Sequence, residues 1–310
     1  MRKHRRFALG ATLIAMALLA GACGSGGSAS GSSVASKLVF GGPPDCPTLP
    51  FCIQGLKKVY GLTFKQFKPL DFGGPLTVAA LKSGAIQIGE LFSTSIYDSD
   101  FVTLQDDKHL TLADNIVPVV RTAVLNDEVT TILNAISAKL DTTTMNGLNK
   151  QVDIDKADPA TVAMTFLTSN GLIPASGSGS GKTITVGVSG GFSESKIVAE
   201  MYAEALAGAG YTTSCQCDLA SRDVSDAALF SSNIDVKPEY LATEAQHLNA
   251  SADVTGDPKH DSDVLAPLLQ AKGVSVLNFA PAVDTNAFVV TKETASKYGL
   301  TKVSDLAKSG

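Results

Sequence analysis

Two aromatic side chains, each close to an acidic residue, occupy matching places in two similar segments of this chain. Residues 80–92 align without gaps on residues 228–240, and both segments predict a helix end, a tight turn and a short strand. Phe92 and Tyr240 therefore fall at the ends of two strands. Because open α/β sheets bind ligands outside the carboxyl ends of their strands, we expect the two rings to face a shared cleft.

Aromatic faces beside acids are suited to holding a cationic ligand. A quaternary ammonium group cannot donate hydrogen bonds, so aromatic rings attract it through cation–π interactions and nearby acids balance its charge. A carboxylate on the same ligand would suit backbone N–H groups at a helix N-terminus, for which residues 189–193 are the candidate. The alternatives are a chance recurrence of the helix–turn–strand unit and local packing of Tyr240.

Patterns typical of enzymes and nucleotide-binding proteins are weak in this sequence. The four histidines are scattered, and no motif spacing connects them. Asp284 and Glu239 could imitate the paired carboxylates of a hydrolase, so a secreted hydrolase stays a lesser alternative. Residues 177–183 end in Gly-Lys-Thr, but Ser176 stands where a P-loop needs glycine, and a strand follows instead of a helix. We therefore predict a binding protein with no catalytic residue, cofactor or metal.

The N-terminal residues predict export and a lipid anchor. Basic residues at 2–6 precede an apolar run at 7–22 that is too short for a membrane span, as in secretory signals. Small residues before Cys23 resemble a bacterial lipobox. We predict a signal peptide at 1–22, lipidation of Cys23 and a flexible tether at 23–36, on the outer face of the cytoplasmic membrane. An ordinary cleaved signal is the alternative.

Composition and cysteine usage agree with an exported binding protein. The 310 residues include 25 basic and 30 acidic side chains, and the net charge of −5 argues against a nucleic-acid partner. When the lipidated Cys23 is set aside, four of the five cysteines remain, an even number that suits disulfides in an oxidising compartment. We predict a disulfide between Cys46 and Cys52, which flank a short loop, and leave the pairing of Cys215 with Cys217 open. Neither spacing is that of a zinc site.

A run of glycine and serine at residues 175–182 divides the chain near its middle. Compact domains seldom leave so many small, structureless residues in their interior sequence. A helical region precedes the run, and a strand, a turn and a helix follow it as they would at the start of a domain. We interpret the run as a seam that joins the former termini of a circularly permuted chain. The alternation of strands and helices on both sides predicts the α/β class.

Several motifs resemble the ProX/OpuC-type glycine betaine, carnitine and choline binding proteins of ABC transporters. Segments similar to the later part of that family precede the seam, and segments similar to its early part follow it. They lie at residues 40–47, 55–64 and 113–121, and at 184–187, 192–194, 237–240 and 284–290. The resemblance implies a two-lobed, periplasmic-binding-protein-like fold of type II, in circularly permuted order. The split lobe would comprise residues 37–102 and 288–310, and the continuous lobe residues 103–287 with the seam.

The resemblance also implies where a ligand would bind. Tyr240 matches the cage tyrosine that follows Pro-Glu in the family, and Thr243 follows at the family spacing. Residues 92–94 stand where an aromatic residue followed by hydroxyl residues is common. The implied partners are a small zwitterionic or cationic solute, namely a quaternary-ammonium osmolyte, and the ABC permease that receives it.

Two departures from the family reduce the expected number of aromatic contacts. Asn286 and Asp114 occupy positions that are often tyrosine in the family, and the sequence contains no tryptophan. One or two rings would then remain, and a different small polar solute is the alternative ligand. The predicted ligand-binding residues are Tyr240, Phe92, Ser93, Thr94, Ser189, Gly190, Phe192, Glu239, Thr243, Asp284, Thr285, Asn286 and Asp114.

Overall fold

The structure is a computed structural model that describes residues 32–96 and 100–310. The signal peptide, Cys23 and most of the predicted tether lie outside the described residues. The elements before the seam are β1 (Val39–Gly42), α1 (Ile53–Tyr60), β2 (Gln66–Pro69), α2 (Pro75–Lys82), β3 (Ile88–Phe92), β4 (Phe101–Thr103), β5 (Asp114–Arg121), α3 (Asp127–Ser137), α4 (Thr142–Asp153) and α5 (Pro159–Ser169). Those after it are β6 (Thr183–Ser189), α6 (Ser193–Gly208), β7 (Thr212–Leu219), α7 (Arg222–Phe230), β8 (Val236–Tyr240), α8 (Leu241–Leu248), α9 (Pro258–Gln270), β9 (Val274–Val276), β10 (Val283–Asp284), β11 (Asn286–Thr291) and α10 (Lys292–Tyr298).

These strands form two sheets, and each sheet combines strands from both sides of the seam. The first sheet has the order β2-β1-β3-β11-β4, in which β1 runs parallel to β2 and β3 while β11 runs antiparallel to β3 and β4. The second has the order β10-β5-β8-β6-β7, with β9 also paired to β5. We call the parts built on these sheets the first lobe and the second lobe. The predicted two-lobed α/β architecture is confirmed.

The chain passes between the lobes from β4 to β5 and from β10 to β11, and hydrogen bonds join these connections. The residue between β10 and β11 is Thr285, whose Oγ1 donates to the carbonyl of Leu112 at 2.8 Å. Ser93, which follows β3, donates its N–H to the carbonyl of Thr285 at 3.0 Å and accepts the N–H of Thr285 at 3.0 Å. The ends of three strands are therefore fixed together where the lobes meet.

Each lobe has its own apolar core. In the first lobe, Phe40 of β1 and Phe288 of β11 are buried with ring centroids 6.2 Å apart. In the second lobe, Tyr202 of α6 and Val186 of β6 are buried in one apolar cluster, and β5 is buried along almost its whole length. Burying one such side chain contributes about 1.5–3 kcal/mol, so the two cores supply the main stabilising contribution.

The first described residues pack against the last residues of the chain. The N–H of Val34 donates to the carbonyl of Lys308 at 2.9 Å, and both Val34 and Ala35 are buried in the core of the first lobe with Leu306. The predicted tether, residues 23–36, therefore extends too far towards the C-terminus, because Val34 and Ala35 belong to the folded lobe. The physical reason is that both side chains are apolar and are stabilised by burial in the core of the first lobe.

The seam is mostly exposed, but it is held by specific contacts. The N–H and the hydroxyl of Ser178 donate to the carboxylate of Glu128, at 2.9 Å to Oε1 and 2.8 Å to Oε2. Gly179 is buried, and its N–H donates to the carbonyl of Ala209 at 3.1 Å. A side chain on α3 and a backbone carbonyl directly after α6 therefore hold these residues in place.

Two helices beside the site, α4 and α8, did not follow from the sequence pattern. The α4 sequence contains three threonines and a glycine, residues of low helix propensity. Asp141 compensates at its N-terminus, where its Oδ1 accepts the N–H of Thr144 at 2.7 Å. Ser193 is the first residue of α6, and no side chain caps the N-terminus of that helix.

The four cysteines within the described residues are paired. The structure contains disulfides between Cys46 and Cys52 and between Cys215 and Cys217. Over residues 32–96 and 100–310, no helix has both the length and the apolar character needed to cross a membrane.

Candidate ligand-binding site

Three aromatic rings from both sheets are in contact where the lobes meet. Phe92 ends β3 of the first sheet, Tyr240 ends β8 of the second, and Phe192 directly precedes α6. The centroid of the Phe192 ring lies 4.9 Å from that of Phe92 and 6.3 Å from that of Tyr240. These separations are typical of interacting aromatic pairs. The structure thus places Phe92 and Tyr240 on either side of Phe192, a third ring from the predicted set.

A buried carboxyl group lies against the hydroxyl of Tyr240. Glu194 is in the first turn of α6, where the helix dipole favours an acid. Its Oε1 accepts the Tyr240 hydroxyl at 2.7 Å, and its Oε2 accepts Nδ2 of Asn149 at 2.9 Å. Both donors are neutral, and within residues 32–96 and 100–310 no ion pair balances this carboxyl group.

A second buried carboxyl group, that of Asp284, approaches from the crossover between the lobes. Thr94 Oγ1 donates to Asp284 Oδ1 at 3.2 Å. Asn149 Nδ2, which binds the first carboxyl group, also donates to the carbonyl of Thr94 at 3.2 Å. Thr94 lies in the short turn after β3, so this network links the end of the first sheet to α4 and α6 of the second lobe.

Burial changes the protonation of this carboxyl pair. It raises the pKa of Glu194, and burial together with the charge of Glu194 raises the pKa of Asp284 well above its ordinary value. Burial also raises the pKa of Tyr240, so its hydroxyl stays a hydrogen-bond donor. Two neighbouring carboxyl groups in a medium of low dielectric constant do not both ionise unless a cation accompanies them. The arrangement can therefore hold either a proton or a cationic group.

Asp114 stands beside Asp284 in the β5–β10 pair and caps the helix that follows Tyr240. Its carboxylate accepts the N–H of Ala242 at 2.7 Å and that of Thr243 at 2.9 Å, at the start of α8. Burial raises the pKa of Asp114 to about 6. Because α8 begins directly after Tyr240, this cap orients the backbone from which that ring projects.

Glu239 and Thr243, both expected to contact ligand, belong instead to a buried ionic network. The Glu239 carboxylate lies 3.0 Å from Arg222 Nη2 and 2.7 Å from Lys237 Nζ, and Lys237 also pairs with Asp226. Arg222 Nη2 donates to Thr243 Oγ1 at 3.2 Å. Burial opposes ionisation of Glu239, but the charges of Arg222 and Lys237 lower its pKa to about 2. The network supports β8 and α8 from within the second lobe.

Three other predicted residues lie near the crossover and bond to groups other than the aromatic cluster. Ser93 and Thr285 bond to each other, as described above. Asn286 Nδ2 donates to Glu90 Oε1 at 2.5 Å, inside the first lobe. Burial raises the pKa of Glu90 to about 8. In this structure none of these three side chains joins the aromatic rings.

The turn at residues 189–193 has only part of the anion-binding geometry that the sequence suggested. Ser189 ends β6, and the N–H of Gly190 donates to the carbonyl at the end of β7 at 2.7 Å. Ser193 Oγ donates to Asp153. The turn borders a small cavity of about 90 Å³ between the lobes. That cavity is lined by residues 71–75, Ser95, Asp153 and residues 191–193.

Sequence reasoning missed two residues of this site, Glu194 and Asn149. Glu194 belongs to a segment that resembles the family, and its position in the first turn of a helix after a strand was the available signal. Asn149 lies on α4, whose composition gave no indication of a helix. Of the predicted ligand-binding residues, the structure brings together Phe92, Phe192, Tyr240, Thr94 and Asp284.

Two sheets joined by crossovers, with side chains from both meeting between them, define the class of two-lobed solute-binding proteins of type II. The family model described as the substrate-binding domain of ABC-type glycine betaine transport systems matches residues 32–169 and 182–310. This chain belongs to that family. Its members bind solutes, in agreement with the prediction of a binding protein rather than an enzyme.

The individual proteins similar to this chain have low sequence identity with it. A glycine-betaine-binding protein of Pseudomonas aeruginosa is 31% identical over 150 residues, which are 47% of this chain and 48% of that protein. The chain thus spans about half the length of this relative. Among solved structures, an ancestral arginine-binding protein bound to arginine has a TM-score of 0.43 at 14% identity, covering 88% of this chain and 90% of that one. The periplasmic aliphatic sulphonate binding protein of Escherichia coli has a TM-score of 0.38 at 14% identity, covering 85% and 64%.

Proposed function

We propose that this chain is an extracytoplasmic solute-binding protein that captures a quaternary-ammonium osmolyte and delivers it to an ABC permease. The glycine betaine, carnitine and choline class is the one that the site supports best. The observation that carries the proposal is the contact of three aromatic rings, Phe92, Phe192 and Tyr240, beside the buried carboxyl groups of Glu194 and Asp284. Family membership supports the same class of ligand.

The physical basis is the attraction of a desolvated cation to aromatic faces. Each favourable contact contributes about 0.5–2 kcal/mol, so three rings contribute a few kcal/mol in total. Neighbouring carboxylates add attraction that does not require the ligand to donate a hydrogen bond. We therefore expect a dissociation constant nearer micromolar than nanomolar.

The circular permutation remains a proposal, and two observations support it. The last residue of the chain meets the first described residues, because the N–H of Gly310 donates to the carbonyl of Ser32 at 3.1 Å and residues 33 and 309 form a β-bridge. Residues 175–181 of the seam lie between the two ranges that match the family. In this proposal the seam lies within the continuous second lobe, and the first lobe, built from residues 37–102 and 288–310, is the one that the permutation splits.

Membrane attachment through Cys23 is the second part of the proposal. Its support is the basic segment, the apolar run and the small residues before Cys23. In a bacterial host we expect mass spectrometry of the exported protein to find Cys23 as a lipid-modified first residue. Cleavage elsewhere or an unmodified Cys23 would contradict the anchor without affecting the binding site.

The experiment that tests the function is isothermal titration calorimetry of the mature protein with glycine betaine, carnitine, choline and proline betaine. We expect saturable, stoichiometric binding of at least one of them and no chemical conversion of the ligand. Absence of heat with all four, confirmed by an unchanged melting temperature, would exclude this ligand class. Turnover of any of them would exclude a binding protein.

A further inference from the structure

The two carboxyl groups beside the aromatic rings lack the positive partner that buried acids usually have. Glu194 and Asp284 are 0% and 7% exposed, respectively. Their hydrogen-bond donors are a tyrosine hydroxyl, an amide and a threonine hydroxyl, all of them neutral. In the described residues, no lysine, arginine or histidine forms an ion pair with either carboxyl group. By contrast, the nearby Glu239 has two cationic partners, Arg222 and Lys237.

The groups around Glu194 and Asp284 bring further negative charge close to these two carboxyl groups. Asp114 faces Asp284 from β5, and Asp153 faces Glu194 from the end of α4. Arg222 and Lys237 form ion pairs with the acids around Glu239, and the charge of Arg222 also acts on Asp114, the acid beside Asp284. The groups that face the two carboxyls are Tyr240 on β8, Asn149 and Asp153 on α4, Thr94 after β3 and Asp114 on β5.

We propose that the Glu194–Asp284 pair exchanges a bound proton for the cationic head of the ligand, so that pH sets the preference between cationic and zwitterionic ammonium compounds. The inference rests on the proposed function and specifies its ligand further. In the empty site one proton remains on the pair, because two adjacent buried carboxylates repel each other. A quaternary ammonium group supplies the missing positive charge, and the proton passes to the solvent buffer.

A zwitterion does not have the same effect. The carboxylate of glycine betaine returns a negative charge to a site that already contains Glu194 and Asp284. It is best accepted when the pair keeps its proton, which can then donate a hydrogen bond to that carboxylate. Choline has no such carboxylate, so its binding favours the ionised pair.

The sign of the pH dependence follows from this exchange. Burial raises the pKa of both acids in the empty site above their ordinary values of 4.5 and 3.8. Choline binding needs the ionised form, so choline affinity is low below the raised pKa and increases as pH rises through it. Release of one proton limits the slope to about tenfold per pH unit. Betaine affinity stays flat or falls over the same window.

The test is calorimetry of the mature protein with choline and with glycine betaine from about pH 5 to about pH 8. At one pH the titration is repeated in two buffers of different ionisation enthalpy, which counts the protons released. We expect a choline-to-betaine affinity ratio that increases at least about threefold per pH unit over part of this range. Close to one proton should be released per choline bound.

Variants locate the exchange. Glu194→Gln and Asp284→Asn should abolish proton release and lower choline affinity at pH 8 by about tenfold or more, while betaine binding is retained. Glu200→Gln is the matched control, because Glu200 is an acid on the same helix that burial also affects but that lies outside the site. If the two site variants do not fold, the wild-type proton count decides alone.

The outcomes separate this inference from the proposed function. Choline and betaine binding with a constant affinity ratio and no proton release would overturn the exchange and leave the function intact. Failure of both ligands, carnitine and proline betaine to bind at any pH would overturn the function and the exchange together.

Discussion

The hydroxyl of Tyr240 donates a hydrogen bond to Glu194 Oε1 at 2.7 Å, which joins the end of β8 to the first turn of α6. One residue therefore offers an aromatic face to a ligand and a hydrogen bond to a buried acid. Since the ring of Tyr240 also contacts that of Phe192, the polar and aromatic parts of the site are not independent. Substitutions at this position should affect both.

Tyr240→Ala should weaken binding of the preferred ammonium ligand by about tenfold or more. It removes a cation–π contact of about 1–2 kcal/mol and leaves Glu194 without its hydroxyl donor. The control is Tyr298→Ala, a tyrosine on α10 that packs against the first-lobe core. Calorimetry of both folded variants is the measurement, and equal losses of affinity would show that Tyr240 has no special role.

The strands and their ends could be predicted from sequence more securely than the contacts between side chains. Alternation of apolar runs with turns located β3 and β8, and this placed Phe92 and Tyr240 at strand ends. Glu239 was predicted to contact the ligand, but in the fold it forms ion pairs with Arg222 and Lys237. Nothing in the sequence pattern connected these two cations with Glu239. Such pairing depends on tertiary packing, to which hydrophobic periodicity is insensitive.

The buried lysine of the second lobe provides a test of stability. Lys237→Met should lower the free energy of unfolding by about 3–5 kcal/mol, because it removes the buried cation that pairs with Asp226 and leaves Arg222 as the cationic partner of Glu239. Urea denaturation is the measurement. Lys259→Met is the control, since the pair of Lys259 with Asp263 is exposed and its loss should not be detectable. Similar midpoints for the two variants would contradict the structural role of Lys237.

Glu90 should make stability depend on pH. Burial raises its pKa to about 8 in the folded state, while an unfolded glutamate titrates near 4.5. Between these values the folded state keeps a proton that the unfolded state has lost, so the stabilisation is complete at low pH and decreases as pH rises to about 8. The slope is at most about 1.4 kcal/mol per pH unit.

Glu90→Gln should remove this component, and the test is the difference between variant and wild type across the pH range. Thermal or urea unfolding at several pH values measures it. Exposed Glu293 provides the control substitution, Glu293→Gln, which should follow the wild-type curve. A Glu90→Gln curve parallel to that of wild type would mean that Glu90 ionises in the folded protein as it does in the unfolded chain.

The permutation proposal predicts that the chain can be reconnected. Linking Gly310 to Ser32 through a short Gly/Ser segment and opening the chain within residues 175–182 should preserve the fold and the ligand affinity. Ser32 and Gly310 are already in contact, and the cost of closing a loop rises slowly with its length, so stability should change by less than about 1 kcal/mol.

Insertions test the same point without new termini. Several Gly/Ser residues added within the seam should leave binding unchanged, because the seam is mostly exposed and its contacts with Glu128 and Ala209 lie away from the aromatic rings. The same insertion directly after Thr285 should abolish binding, because hydrogen bonds of Thr285 to Ser93 and Leu112 join the crossovers between the lobes. Calorimetry and urea unfolding of both insertion variants are the measurements. A seam insertion as damaging as the one at Thr285, or a reconnected chain that fails to fold, would contradict the permutation.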